Sequence, residues 1–502
     1  MKKTIITIIL ALLMPLFPAL CQVKRQMRGA WIATVANIDW PSQTAVGHSQ
    51  QQKEEMITIL NELERLKFNM IVFQIRPTAD AFYYSELEPL SYWLTGKQGA
   101  NNDEPYDPLS FVIEEAHKRC IDVHVWLNPY RATHTFTTQD LDSLHIYNQH
   151  PEWFFQYGDK YYFNPGLDET RQWLTDVVAD IVNRYDIDAI HFDDYFYPYK
   201  VRAPKGSESL WIDFPDKETF EKYPRGYSNI DEWRRNNVNL IIEELQQTIK
   251  QIKPWVEFGI SPFGVWRNQS SDPLRGSKTQ AGVQNYDDLY ADILLWLEKG
   301  WIDYVAPQLY WEIGKRVADY EILAHWWAEN SYGKNLYVGH FVSQLTNKKA
   351  PAAWQAPNEI CRQLALNESI EQIDGSIMYS TAPMLTNPQG MLDSLANNYF
   401  LYHALPPINR NISAGMPMPP QSITINQHTL NWQAAQDAQY YVIYAFPLGE
   451  EINFDNPKYI AGKTTQTTFT LDEPDRYEAI CVTAINKYKH ESLPCILRNY
   501  IY

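Results

Sequence analysis

Short apolar runs recur along the chain at residues 28–35, 69–76, 122–129, 189–196, 257–265, 304–310, 336–342 and 375–382. Near-continuous apolar stretches of this length suit strands buried on both faces of a parallel sheet. The segments between them carry apolar residues at helical spacing: Met56, Leu60, Leu63 and Leu66 on one stripe, Leu240, Ile241, Leu245 and Ile249 on a second, Leu289, Ile293 and Leu297 on a third. Strand and helix alternating eight times over predicts an α/β fold, a (β/α)8 TIM barrel.

The connections give that barrel a direction. Helix-to-strand links are short, as at 67–68, 120–121, 300–303 and 333–335, whereas the links at 77–107, 131–168 and 198–230 are long and rich in Pro, Gly, Asn and aromatics. Long loops of this kind carry function, and these all fall at the carboxyl ends of the strands. Beyond His403 the texture changes. The barrel is expected to span 22–404, a Pro-rich stiff linker 405–420, and a small all-β sandwich 421–502, whose alternating runs at 422–425, 429–432, 440–445, 467–471 and 477–484 are separated by polar turns. Trp432 is a candidate core residue of the sandwich and Tyr477 a candidate corner tyrosine. This small domain is expected to bind or space rather than catalyse.

Residues 1–21 read as a signal peptide. Lys2 and Lys3 precede an apolar run from Ile5 to Leu20, and Ala19 and Cys21 stand at the small-residue positions before Gln22. The run is shorter than the roughly 20 residues a spanning helix needs, so no transmembrane segment is expected. An exported protein, periplasmic or secreted, follows; soluble export is preferred over lipid attachment at Cys21, because Leu20 is bulkier than the Gly or Ala usual before a lipidated Cys. Cys481 and Cys495 either pair or remain two buried thiols.

The 502 residues include 60 acidic against 43 basic side chains, a net charge of −17, which repels a phosphate backbone and argues against nucleic-acid partners. Aromatics make up 14%, more than a core of this size needs, and rings left at a cleft stack well on sugar faces. There is no H-x-H pair, G-x-S-x-G elbow, Walker A loop or H-E-x-x-H, so neither metal nor cofactor is expected. Carboxylate chemistry remains. In the fourth strand Ile190 and Phe192 should face the helices, which turns His191 and Asp193 inward and leaves Asp194 at the rim, beside Tyr195, Phe196, Tyr197 and Tyr199. In the sixth, Leu309 outward puts Gln308, Tyr310 and Glu312 in phase, next to Trp311. Glycoside hydrolysis needs two carboxyl groups flanking the scissile bond, and Asp193 with Glu312 is the preferred pairing, Asp194 a further candidate. Gln74, Arg76, Asn128, Tyr130, Ser261 and His340 are inward candidates for gripping hydroxyl and acetamido groups. Trp40, Trp126, Trp266 and Trp311 lie near strand ends, where a ring either stacks on sugar or fills core.

Three separated segments carry a resemblance. Residues 28–34 (RGAWIAT) with Asn37-Ile38-Asp39-Trp40-Pro41, residues 191–198 (HFDDYFYP) and residues 306–311 (APQLYW) are similar to the first-, fourth- and sixth-strand motifs of the glycosyl-hydrolase-like 10 family, over about 26–403. The C-terminal part resembles a fibronectin type III module. The resemblance implies an exported hydrolase of envelope or extracellular glycans, with Asp193 as nucleophile or base, Asp39 and Trp40 at the substrate, and peptide-free peptidoglycan or another β-linked amino-sugar polymer as substrate. It also implies possible envelope association through the C-terminal module. The rival reading from the same residues is a non-catalytic glycan-binding protein whose aromatic cleft holds sugar without cleaving it.

Overall fold

A computed structural model of the protein describes residues 22–498 apart from 136, 208 and 357. The expected signal peptide, Cys21 and residues 499–502 lie outside them. Eight parallel strands close into a barrel: β1 (Met27–Ile32), β2 (Met70–Arg76), β3 (Asp122–Leu127), then, after a hairpin of β4 (Phe154–Tyr157) and β5 (Lys160–Phe163), β6 (Ala189–Phe192), β7 (Glu257–Ile260), β8 (Tyr304–Val305), β9 (Asn335–Phe341) and β10 (Gly375–Tyr379). The cyclic order is β1-β10-β9-β8-β7-β6-β3-β2. Strand starts agree with the sequence reading to within a residue. Most carboxyl ends fall two to five residues earlier, because the chain there leaves the ladder and bends into the loops of the working face. No described helix is long and apolar enough to cross a membrane.

Local chemistry delimits the helices. Asp107 accepts from Ser110 N at 3.1 Å ahead of Pro108 in Pro108–Lys118, Asn229 accepts from the amides of Asp231 and Glu232 to open Ile230–Ile252, and Gly300 at φ +68° ends Ile293–Lys299. Met56, Leu60 and Leu63 form the buried stripe of Ser49–Arg65. Inside the barrel, Tyr304 lies so close to Gly259 that a Cβ there would meet its ring at 1.9 Å. The Tyr304 hydroxyl is shared by His124 Nδ1 (2.8 Å) and His191 Nδ1 (2.9 Å), and His191 Nε2 reaches Ser261 Oγ (2.9 Å). This hydrogen-bonded layer floors the site above it.

The C-terminal part forms two antiparallel sheets from β11 (Gln421–Asn426), β12 (Thr429–Gln433), β13 (Tyr440–Pro447), β14 (Ile460–Thr464), β15 (Thr468–Thr470), β16 (Tyr477–Ile485) and β17 (Cys495–Arg498), ordered β11-β12-β15 and β14-β13-β16-β17. Trp432 is buried between the sheets, as expected. β14 and β17 escape the sequence reading because they are short and half polar. Cys495 pairs across the ladder with Val482, so its side chain shares Val482's face and Cys481 points to the other; both are free thiols and do not bridge.

The second sheet does not hang on a spacer. Its outer face, through Tyr440, Val442 and Tyr444, packs with Leu405 and with Cys120 of the barrel, and residue 405 itself bridges to Arg25. Lys489 enters the amino-terminal end of the barrel and bonds Asp122 at the start of β3 (2.7 Å) and Asp188 just before β6 (3.1 Å). Asp188 also takes Gln439 Nε2 (3.1 Å) and His117 Nε2 (2.9 Å). The small domain therefore plugs the face opposite the long loops. Lys489→Met takes the ammonium from between two buried carboxylates, and breaking a buried pair in this way costs about 3–5 kcal/mol. Burial has already raised Asp122 to about 6, against the pull of Lys489, so it takes up a proton at mildly acid pH. The drop in melting temperature should be larger at pH 8 than at pH 5; an equal drop at both in calorimetry would contradict the clamp.

Candidate active site

Above the floor lies a cavity of about 390 Å³ at the carboxyl ends of the strands. Its walls come from Trp31, Val35, Ala36 and Ile38 around the end of β1, Gln74 from β2, Trp126, Arg131 and His134 from β3 and its loop, Asp193, Asp194, Tyr195 and Tyr199 past β6, Ser261, Gln308 and Tyr310, and Phe341 and Tyr379 from β9 and β10. Tyr310 lies nearly parallel to Phe341 (4.9 Å, 23°) and Tyr379 (5.7 Å, 27°), and Trp31 meets Tyr379 edge-on at 6.1 Å. Such a ring shelf offers the apolar contact a sugar face needs.

Alternation in β6 turns out as the pattern requires: Ile190 and Phe192 join the outer core while His191 and Asp193 face inward. Asp193 Oδ2 accepts from Trp126 Nε1 at 2.9 Å and Asn128 Nδ2 at 3.1 Å, and its Oδ1 from the Tyr195 amide at 3.2 Å. Burial pushes its carboxyl above the ordinary range, and Arg131, Trp126, Tyr195 and Asn128 pull it back. Asp194 accepts from the Tyr199 hydroxyl. Burial and then the charge of Asp193 raise it to about 7, against the hydrogen bonds of Tyr199 and Gln308. Two neighbouring carboxyls in one dry mouth cannot both be ionised cheaply, so they titrate as a pair with the proton favoured on Asp194.

Gln74 is held by the Thr34 and Val35 amides, which donate to its Oε1 at 3.0 and 2.9 Å. That orientation leaves its Nε2 buried and without a protein partner, in a residue that lines the cavity. Gln308 donates from Nε2 to Ser261 O at 2.9 Å.

Several expected substrate contacts are corrected by their surroundings. Trp40 is fully buried between Phe73 and Phe82 with its Nε1 on Gln52 O at 3.0 Å. Arg76 is sealed in an ion pair with Glu88 at 2.6 Å. Tyr130 belongs to the outer core, and Trp311 packs edge-on to Phe263. His340 is fixed between Gln363 and Ser376, and His191 belongs to the floor; burial holds both imidazoles neutral. Asp39 accepts from Ala33 N, Ser380 Oγ and Ala382 N, all at 2.8 Å, sewing the end of β1 to that of β10 away from the cavity. Asn128 acts on Asp193 rather than lining the space. Glu312 does not line it either: Trp354 Nε1 (3.0 Å) and Lys315 Nζ (3.2 Å) hold its carboxylate, and with its own backbone amide they outweigh partial burial and lower its pKa. Among the described residues, Arg131, His134, Phe341 and Tyr379 escaped the sequence reading; Tyr379 and Arg131 end or follow barrel strands, a placement that could have flagged them.

A family model described as glycosyl hydrolase-like 10 matches residues 26–358. The chain belongs to the glycosyl hydrolase-like 10 family. Membership places it among the glycosidases, with a carbohydrate substrate. It is 42% identical to the glycosyl hydrolase YngK of Bacillus subtilis (strain 168) over 445 residues, 85% of this chain and 84% of that protein. It is 40% identical to the glycosyl hydrolase DigH of Escherichia coli (strain K12) over 384 residues, 72% and 84% of the two chains. The glycoside hydrolase domain of PgaB (BpsB) from Bordetella bronchiseptica superposes over 74% of this chain and 98% of that one, with a TM-score of 0.48 and 9% identity.

Because the folded value of Asp194 lies above its unfolded one, its contribution to stability is present below about pH 4 and is lost as pH rises through 7. Asp194→Asn removes the buried charge and should become more stable relative to wild type between pH 5 and pH 8, by about 2–4 kcal/mol. Chemical denaturation at the two pH values measures this, and a difference that does not change with pH would refute the assignment.

Proposed function

We propose that this glycosidase cleaves O-glycosidic bonds of an envelope or extracellular glycan with Asp194 as general acid and Asp193 as the anionic partner. The observation that carries the reading is the unequal setting of two adjacent carboxyls in one ring-walled cavity: N–H donors from Trp126, Asn128 and Tyr195 grip Asp193, whereas Asp194 is held by the Tyr199 hydroxyl and carries the added repulsion of Asp193. Asp194, raised to about 7, keeps a proton to give to a departing sugar oxygen near neutral pH. Asp193, gripped by several N–H donors, presents an oriented carboxylate to the anomeric carbon or to the positive charge that develops there. Glu312, the acid first expected from the sequence, is replaced in this role, because its carboxylate is committed to Trp354 and Lys315 outside the cavity.

A β-linked amino-sugar polymer, with peptide-free peptidoglycan as the leading case, is the substrate we assign. A cavity lined by Trp31, Val35 and Ala36 together with the polar Gln74, Gln308 and Ser261 suits an acetamido group, which needs a nonpolar wall for its methyl beside polar contacts. The basic start and apolar run of residues 1–21 support export to the periplasm or beyond. The C-terminal sandwich, which we read as fibronectin type III-like, sits across the barrel from the cavity and leaves the mouth clear for a polymer. Envelope association through its outer sheet is part of the same proposal.

Asp193→Asn and Asp194→Asn should each lower release of reducing ends from peptide-free glycan strands by about 10²–10⁴-fold, with folding retained. Glu312→Gln should stay within a few-fold of wild type. Wild-type kcat should fall about tenfold per pH unit once pH exceeds roughly 7, as Asp194 loses its proton. Unimpaired turnover by either Asp variant, or saturable binding with no cleavage by the wild type, would overturn the reading.

A further inference from the structure

The proposed chemistry needs the proton on one particular carboxyl of an adjacent pair, and Arg131 is the group built to decide it. Arg131 is 9% exposed and lines the cavity, and its Nε and Nη2 both donate at 3.2 Å to a backbone carbonyl, Pro77 O. No carboxylate among the described residues accepts from it, so its charge acts outward into a low-dielectric space, where a field reaches further than in water. Two rigid arms tie it to Asp193. Its backbone N–H donates to Asn128 Oδ1 at 2.9 Å, and Asn128 Nδ2 donates to Asp193 Oδ2 at 3.1 Å. Its guanidinium lies 5.3 Å over the Tyr195 ring, whose own amide donates to Asp193 Oδ1 at 3.2 Å. Asp194 is tied elsewhere, to Tyr199.

We propose that Arg131 is a positioning residue that keeps Asp193 ionised and thereby leaves the proton of the pair on Asp194. The inference rests on the reading of Asp193 and Asp194 as the reacting pair. Other titratable groups facing them are His134 from the same loop as Arg131, Tyr195 and Tyr199 after β6, Tyr310 after β8 and Tyr379 at the end of β10. His134 is pushed toward its neutral form by desolvation and by Arg131, and the tyrosines stay protonated. Arg131 is thus the permanent cation among the described lining residues. It is also the strongest influence opposing burial at Asp193 and is not among the leading influences on Asp194.

The test pairs pH profiles of kcat/KM on peptide-free peptidoglycan strands with ¹³C titration of the aspartate carboxyls, assigned from Asp193→Asn and Asp194→Asn spectra. Arg131→Gln can still donate to Pro77 O but lacks the charge. It should raise the acid limb by about one pH unit while the alkaline limb moves less, narrowing the bell. Arg131→Lys should return the acid limb to near its wild-type position. In the spectra, the two carboxyl steps, separated in the wild type, should converge in Arg131→Gln. Unmoved limbs with a uniform loss of rate, or unchanged carboxyl steps, would overturn the proposal. The carboxyl titration reads where the proton sits without turnover, so a wild type that neither binds nor cuts this glycan would count against the substrate reading alone.

Discussion

Two carboxyl groups on consecutive residues, largely withdrawn from water, cannot both be ionised cheaply, and the upper half of this barrel is arranged around that constraint. Strand β6 ends at Phe192, so Asp193 and Asp194 leave the ladder together and reach the same space by different routes. Trp126 and Asn128, both from the neighbouring third strand or its end, grip one; Tyr199 and Gln308 attend the other. Rings from β1, β9 and β10 and from the loop after β8 keep the surroundings dry, which gives the mutual repulsion its size.

The two ends of the barrel divide the work. At the mouth, charge is left unmatched: a guanidinium with no carboxylate partner among the described residues and a carboxyl that stays protonated near neutrality. At the opposite end, buried charge is matched to charge, with Lys489 set among Asp122, Asp188 and His117 by a domain that folds onto the barrel. Between them the His124–Tyr304–His191 layer, possible only because residue 259 has no side chain, stops the floor from collapsing. The small domain is accordingly part of the scaffold that holds the site, and both faces of its β13 strand are buried.

Much of this was legible in the sequence. The eight apolar runs, the inequality of the loops and the alternation Ile190-His191-Phe192-Asp193 were enough to predict the barrel, its working end and the direction in which Asp193 points. What stayed hidden depended on partners brought by distant loops. Nothing in the run ending at Arg76 announces that Glu88 folds back to neutralise it, and nothing near Glu312 announces that Trp354 will claim its carboxylate. Trp40 looked like a platform because it stands near a strand end, yet the chain turns it under the rim. The spare donor of Gln74 shows only once the Thr34 and Val35 amides are seen to fix its orientation. Alternation along a strand decides the face a side chain takes; the company it keeps there is a property of the tertiary fold.

The most direct test is hydrolysis of peptide-free glycan strands in H₂¹⁸O, with the new ends weighed by mass spectrometry. The account predicts one ¹⁸O atom at the anomeric carbon of each new reducing end for the wild type and intact strands with Asp193→Asn. Labelled ends formed at the wild-type rate by Asp193→Asn, or strands left uncut by the wild type, would contradict it.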